Sequence, residues 1–257
     1  MYKSKTYQVR ELEDIYKEID ELSSAYPQSR KVFLADGDAL ALDTLYLLAL
    51  LKYLKRSFIK LRRVSLYASA QNILNKSSED LELLYANGLN LIYYGVESGS
   101  DVVLKKITKG VNQSEIIESL NKASDAGMKI SATVILGIGG SKYSEVHVRE
   151  SAKIINETKV TYLSTLQLGL EEESKEKFYQ NFSDFTLLDD HEILREQKRF
   201  IALLNPSHKI IFRSNHASNA LHLAGTLPRD KDRLIDELDL ALNMGESAFV
   251  PKVFRGF

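Results

Sequence analysis

The sequence contains no cysteine and no tryptophan, and it has only four prolines among its 257 residues. Without cysteine the chain cannot form a disulfide, a thiolate nucleophile or a cysteine-ligated metal site. Its 34 basic and 35 acidic residues nearly cancel, so no net field attracts nucleic acid or an anionic membrane. We therefore expect no nucleic-acid partner. The substrate is expected to be either a small molecule or of a class that the sequence does not indicate.

Long apolar runs are absent as well. The longest, Leu45–Leu51, is far too short to span a bilayer, and the charged N-terminal segment contains no apolar signal sequence. The chain is therefore expected to be soluble and cytoplasmic, without a membrane partner. Its length suffices for one α/β domain with a large core.

Strand-like and helical segments alternate along the sequence. Apolar runs rich in β-formers predict strands at 31–35, 64–68, 91–96, 129–136, 162–168 and 209–213. Apolar residues three and four positions apart predict helices at 7–24, 39–55, 77–87, 112–126, 144–157, 191–204 and 230–243. Continuous apolar strands separated by helices are typical of a parallel sheet that is covered on both faces.

Polar residues and glycines lie in or directly after four of the predicted strands. They are Asp36-Gly37-Asp38, Ser69, Glu97-Ser98, and Thr133 with Gly137. Because parallel strands end at the same edge of a sheet, we expect these residues to converge on one pocket. Simpler explanations remain open: the aspartates and Ser69 could cap helices, and Glu97 could pair with a nearby lysine.

A polar string, Arg213–Ala220, comes directly after the predicted strand at 209–213. Polar residues at such a position are costly to bury and often functional. Asn215 and His216 are therefore candidate substrate-facing residues, and His147 is a third. His216 could equally fasten its region to the rest of the domain. Glu145 and His147 do not share a helical face, so no metal site is predicted.

The segment Leu91–Gly110, LIYYGVESGSDVVLKKITKG, resembles the fourth strand and following loop of radical SAM enzymes. One subfamily has G-[VLI]-E-S-G-S-D followed by V-L-x-x-[IM]-x-K-G. The strings FRSNHASN and GTLPRDK near the C-terminus are similar to strings of that subfamily. Met1–Arg10 resembles the segment that follows the last cluster cysteine, so the resemblance runs from Tyr2 to about Leu240.

This resemblance implies an α/β fold: an incomplete parallel (β/α) TIM-like barrel of the radical SAM type, with the first strand missing and a C-terminal helical extension. The helix at the start of the element order supports a missing strand. We expect residues 1–185 to form the partial barrel and residues 186–257 an extension packed on it. Strand 31–35 would then lie at an exposed edge, which favours self-association.

The resemblance also implies S-adenosylmethionine as cofactor. Its amino group would be held by Asp36-Gly37-Asp38 and its ribose by Glu97, with Ser69, Ser98, Thr133 and Gly137 lining the rest. Radical SAM enzymes hold a [4Fe–4S] cluster with C-x3-C-x2-C, take an electron from flavodoxin or ferredoxin, and generate a 5′-deoxyadenosyl radical. Because a cluster needs thiolate ligands, we expect it only in a complete form with upstream cysteines, and we expect the chain as given to be inactive in cluster chemistry.

Two other functions are compatible with the same residues. One is a non-catalytic descendant that retains the nucleotide pocket. The other is a cysteine-free β/α-barrel enzyme in which Glu97, Asp38 and His216 perform acid–base chemistry.

Overall fold

The computed structural model describes residues 8–35, 38–170 and 172–256. Seven strands follow one another in chain order in an open sheet. Parallel pairing joins the first three strands to one another and the fourth to the sixth to one another, whereas the last two strands pair antiparallel. The predicted mostly parallel α/β class is therefore confirmed. No helix among the described residues is long and apolar enough to cross a membrane.

The chain divides into two compact units, of which the first comprises residues 1–94 and 122–129. Its helices are α1 (Leu12–Ala25), α2 (Thr44–Ser57), α3 (Ala70–Asn75) and α4 (Ser78–Ala86). Its strands are β1 (Lys31–Leu34), β2 (Arg63–Tyr67) and the first six residues of β3 (Leu89–Glu97). A 3-10 turn, Ala39–Ala41, precedes α2.

Aromatic side chains from the helices and strands of this unit contact one another. Tyr16 of α1 stacks on Tyr53 of α2 with ring centroids 3.8 Å apart. Phe33, Tyr67 and Tyr93 come from three successive strands, and their rings contact edge to face at 4.9 to 6.0 Å. The parallel pairing of β1, β2 and β3 brings these rings together.

The second unit comprises residues 95–121 and 130–257. Its helices are α5 (Asp101–Lys106), most of α6 (Gln113–Asp125), α7 (Gly140–Glu157), α8 (Glu172–Asn181), α9 (Asp190–Leu203) and α10 (Lys231–Met244). Its strands are β4 (Lys129–Leu136, from residue 130), β5 (Tyr162–Gln167), β6 (Ile210–Ser214) and β7 (Leu223–Leu227). Two 3-10 turns follow, Gly245–Ala248 and Lys252–Phe254. Helix α9 packs against both α7 and α10.

The structure differs from the predicted elements in several places; helices α3 and α8, for example, were not predicted. The helix predicted from residue 39 begins at Thr44 instead, because the Asp43 side chain accepts the Leu45 N–H at 2.8 Å and caps α2 there. Strand β7 was missed, since Gly225 and Thr226 interrupt its apolar pattern; it is stabilised by antiparallel pairing with β6. The predicted division at residues 185 and 186 stays a prediction.

Candidate functional site

Asp38 forms a small polar cluster in the first unit. Its Oδ2 accepts hydrogen bonds from the Asn72 amide and, at 3.4 Å, from the Ser69 hydroxyl. Ser69 is also the N-cap of α3 and accepts the Asn72 N–H at 3.3 Å. The capping role that the sequence left open for Ser69 is therefore present, whereas Asp38 makes no capping bond.

The other carboxylate oxygen of Asp38, Oδ1, is buried and has no hydrogen-bond partner among the residues that the structure describes. Burial raises the pKa of Asp38, although the bonds from Asn72 and Ser69 act in the opposite direction. Asp38 lines a cavity of about 320 Å³, whose walls come from α1, β1 and α2. An unpaired acceptor next to a cavity is suited to a cationic or N–H donor group.

Glu97, at the end of β3, has a left-handed backbone with φ 57°. This conformation is unusual for a residue other than glycine, and its cost of roughly 1–3 kcal/mol persists only where the surroundings enforce it. The Ser98 N–H donates to the Val96 carbonyl at 2.7 Å and tightens the turn. Strain of this kind clusters at functional sites, and the outlier falls on the residue that the sequence singled out.

The Glu97 carboxylate receives a hydrogen bond from Lys109 Nζ at 3.0 Å, so the lysine pairing that the sequence left open is formed. The Glu97 side chain folds back over Gly95, where a Cβ atom would collide with it. The Glu97 side chain remains 23% exposed, so a ligand can reach its salt bridge with Lys109.

Ser98 connects the Glu97 turn to helix α7. Its hydroxyl lies 2.9 Å from His147 Nδ1, and the Gly99 N–H donates to Ser151 Oγ at 2.8 Å. Ser98, His147 and Ser151 are all buried. His147 therefore contacts the turn after β3 in the interior of the unit, which is a different environment from the substrate-facing one that we predicted for it.

Gly137 connects the end of β4 to helix α9. Its N–H donates to Glu196 Oε1 at 2.5 Å, and the other oxygen of Glu196 accepts the Ser144 hydroxyl. Gly137 has φ 81°, and a Cβ there would lie 2.6 Å from Ile193 Cδ1, so only glycine fits. Thr133 lies half-buried within β4 and pairs with Ser164 of β5.

Glu196 and His147 face each other across the buried network, with Oε1 and Nε2 3.8 Å apart. Burial lowers the pKa of His147 to about 4, so its ring is neutral near pH 7. Burial raises the pKa of Glu196 to about 6, against the bonds from Ser144 and Gly137. Sequence reasoning missed Glu196. The available signal was a charged residue on the apolar stripe of α9, between buried Ile193 and Phe200.

The polar string after β6 is divided between the surface and the interior. Asn215 and His216 are exposed, and His216 Nδ1 bonds only within its own turn, to Ser218. Asn219 is buried and bonds the Thr165 carbonyl, Ser214 and the Gln167 N–H at 2.7 to 2.9 Å. Asn219, which the sequence did not single out, therefore fastens the turn to β5 and β6, and the Ala220 N–H adds a bond to Gln167 Oε1 at 3.1 Å.

A second cavity, of about 200 Å³, lies at the end of β5. Gln167 and Leu168 line it together with Lys252 and Arg255 from the C-terminal turn. Arg255 binds Asp190 through two hydrogen bonds of 2.8 and 3.0 Å, and its side chain is only 5% exposed. The C-terminal turn is therefore anchored beside this cavity.

Within each unit, the structure brings some of the predicted site residues together. Asp38 and Ser69 come together in the first unit, and Ser98, His147 and Gly137 belong to one network in the second. Asp36 and Gly37 lie outside the described residues. A common pocket for all predicted residues stays a prediction. Among the described residues no cluster of three histidine or acidic side chains could hold a metal ion.

The sequence model of the radical SAM superfamily matches residues 2–153, which is more than half of the chain. A Methanocaldococcus jannaschii protein that is assigned by name to the methylthiotransferases is 34% identical over 58 residues, or 23% of this chain and 13% of that protein. The chain therefore spans only a small part of the length of this relative.

Two solved structures show the same fold at low sequence identity. Archaeal Elp3 from Methanocaldococcus infernus matches 88% of this chain and 57% of its own, at 12% identity and a TM-score of 0.58. Coproporphyrinogen III oxidase HemN from Escherichia coli, a radical SAM enzyme, matches 74% of this chain and 44% of its own, at 16% identity and a TM-score of 0.53. The chain spans about half of each of these proteins. With the sequence match over residues 2–153, the chain belongs to the radical SAM superfamily.

Proposed function

We propose that this chain binds S-adenosylmethionine and forms part of a radical SAM enzyme. The observation that carries the proposal is the strained turn at Glu97, because it presents a partly exposed carboxylate at the carboxyl end of a parallel strand. Ligands of α/β proteins bind at that end, and the superfamily match includes the turn.

The second unit supplies groups that fit the adenosine part of the cofactor. A carboxylate such as Glu97 can accept two hydrogen bonds from the vicinal hydroxyls of a ribose. The resemblance assigns Thr133 and Gly137 to the adenine, and we retain that assignment as part of the proposal. These residues bind and orient the ligand; none of them is assigned a chemical step.

Asp38 offers a group for the amino end of the cofactor. Within the described parts of the chain its buried Oδ1 has no partner, and an ammonium group would satisfy that acceptor. The resemblance assigns the amino group to this loop, and we retain that assignment as a separate proposal for the first unit.

The residues of this chain do not fit a [4Fe–4S] cluster, because the sequence provides no thiolate. We therefore derive no radical step for it. Reductive cleavage of the cofactor, with an electron from flavodoxin or ferredoxin, is proposed only for a form that carries the cysteine segment. Binding of the nucleotide without catalysis is the second candidate function, and the cysteine-free chain is the suitable material to examine it.

The test is a titration of the ¹⁵N-labelled chain with S-adenosylmethionine, followed by amide NMR shifts. We expect weak, saturable binding, and a loss of about 1–3 kcal/mol of binding free energy in Glu97→Ala, since two charge-assisted bonds are removed. Glu157→Gln, at an exposed position of α7, is the matched control. Absence of binding at millimolar ligand, or equal affinity in Glu97→Ala, would contradict the proposal.

A further inference from the structure

One buried network holds two loops of the proposed cofactor site in the second unit. The turn after β3 is attached through Ser98 and His147, and the loop after β4 is attached through Gly137 and Glu196. His147 and Glu196 are 1% and 0% exposed, so neither side chain can touch a ligand directly. They come from α7 and α9, two helices that pack against each other.

The two loops differ in how much support their backbones need, because a positive φ is strained at Glu97 but ordinary for a glycine such as Gly137. Glu97 has φ 57° and Gly137 has φ 81°, and neither loop continues the extended conformation of its strand. A strained backbone is stable only where several contacts enforce it. For Glu97 the contacts are the Ser98 bond to His147 and the Gly99 bond to Ser151; for Gly137 the contact is the carboxylate of Glu196.

The network also places polar groups in the core, where their desolvation costs free energy. A buried carboxylate carries a large desolvation penalty, and an apolar cluster that replaced the whole network, with no polar partner left behind, would often be as stable or more stable. Glu196 nevertheless has its acceptors engaged by Gly137 and Ser144, and Arg199 donates to Ser144 at 3.0 Å. A polar group that stability alone does not require indicates a role in fixing geometry.

We propose that His147 and Glu196 are positioning residues for the cofactor: His147 holds Glu97 through Ser98, and Glu196 holds Gly137 through its N–H. This inference rests on the proposed function and extends it to residues that do not contact the ligand. The two ring nitrogens of His147 have different neighbours: Nδ1 lies 2.9 Å from Ser98 Oγ, within hydrogen-bond distance, whereas Nε2 lies 3.8 Å from Glu196 Oε1.

The difference between the two nitrogens allows a matched pair of variants. In His147→Asn the side-chain amide can occupy the place of Nδ1 and keep the bond to Ser98. In His147→Gln the longer side chain reaches the place of Nε2 and loses that bond. We expect His147→Asn to bind S-adenosylmethionine within about threefold of the wild-type affinity, and His147→Gln to bind at least about tenfold more weakly. A purely structural role would make the variants similar, because both remove the buried ring.

The Glu196 half of the network has its own spectroscopic readout. The amide proton of Gly137 should resonate far downfield, because it donates to a buried carboxylate at 2.5 Å. Glu196→Gln should move that signal upfield but retain most of the affinity, since the amide oxygen still accepts the bond. Glu196→Ala should lose both the signal position and at least about tenfold in affinity. Glu157→Gln, on the exposed side of α7, should change neither.

All variants are compared at a temperature at which thermal unfolding shows each of them to be folded. Equal affinity in wild type, His147→Gln and Glu196→Ala would overturn the inference and leave the proposed function intact. Equal losses in His147→Asn and His147→Gln would also overturn it, because the bond to Ser98 would then be irrelevant. If the wild-type chain does not bind S-adenosylmethionine, the proposed function fails first and the inference with it.

Discussion

The Asp38 cluster and the His147–Glu196 network are two polar groupings of opposite construction. Asp38 is half-buried beside a cavity, and one of its carboxylate oxygens is unpaired as far as the described residues go. His147 and Glu196 are fully buried, and both oxygens of Glu196 accept hydrogen bonds. Each grouping lies within a single unit of the chain.

This difference separates a group that is available for a ligand from groups that support one. An unpaired buried acceptor costs free energy until a donor reaches it, which is why Asp38 is a candidate for direct binding. A satisfied network has no capacity for a ligand, and it stabilises a particular backbone geometry instead. The two groupings should therefore respond to substitution in opposite ways.

Replacing Glu196 should have the largest effect. Glu196→Leu leaves the Gly137 N–H and the Ser144 hydroxyl without their acceptor in the interior, so we expect the free energy of unfolding to fall by about 3–5 kcal/mol. Glu196→Gln should cost less than half as much. Urea denaturation of both variants measures the difference. A leucine variant as stable as wild type would show that Glu196 is not needed as a buried acceptor.

The loss of folding stability at low pH should come from His147. Because its folded pKa is lowered from 6.5 to about 4, the stability it contributes is present above pH 6.5 and is lost as the pH falls toward 4, by about 3 kcal/mol. Glu196, with its pKa raised from 4.5 to about 6, acts in the opposite sense: its contribution is present below pH 4.5 and is lost as the pH rises toward 6.

The measurement is the melting temperature between pH 4 and 7. His147→Asn should flatten the loss of stability on acidification, and Glu196→Gln should make that loss steeper. If His147→Asn shows the same pH dependence as wild type, His147 does not titrate as a buried group.

Gly99→Ala examines how rigidly the turn after β3 is held against α7. A Cβ at this position would collide with backbone atoms of Glu150 and Ser151, and backbone cannot move aside as a flexible side chain can. We expect a loss of about 1–3 kcal/mol in unfolding free energy. Gly88→Ala is a useful reference, since no atom lies within 4 Å of its Cβ and only its φ of 110° is unfavourable. A loss confined to Gly88→Ala would show that the turn is loosely packed.

The smallest effect on stability is expected for Asp38. Asp38→Asn removes a partly desolvated charge and retains an oxygen for Asn72, so the unfolding free energy should change by no more than about 1 kcal/mol, toward greater stability if at all. Cofactor affinity should nevertheless fall, if the unpaired oxygen receives the ammonium group. Glu82→Gln, at an exposed position of α4, is the control. A large loss of stability in Asp38→Asn would place Asp38 with the supporting network instead.

Most of the secondary structure could be predicted from the sequence because apolar residues recur with the period of each element. Strand β4 and the C-terminal parts of α2 and α9 follow directly from such patterns. Strand β7 could not, since its residues are weakly apolar and its stability comes from pairing with β6. The start of α2 also depended on one local bond, from the Leu45 N–H to Asp43.

The candidate site divides in the same way. The sequence by itself determined that no thiolate ligand is available, because that follows from composition. It also determined the polar string at Glu97, because that is a property of adjacent residues in the chain. Only the tertiary structure decided that His147 is buried, that Glu196 is its neighbour 49 positions later, and that Glu97 has a left-handed backbone. These features result from packing between α7, α9 and the strand ends, and side chains so far apart in sequence leave no periodic pattern that would reveal their contact.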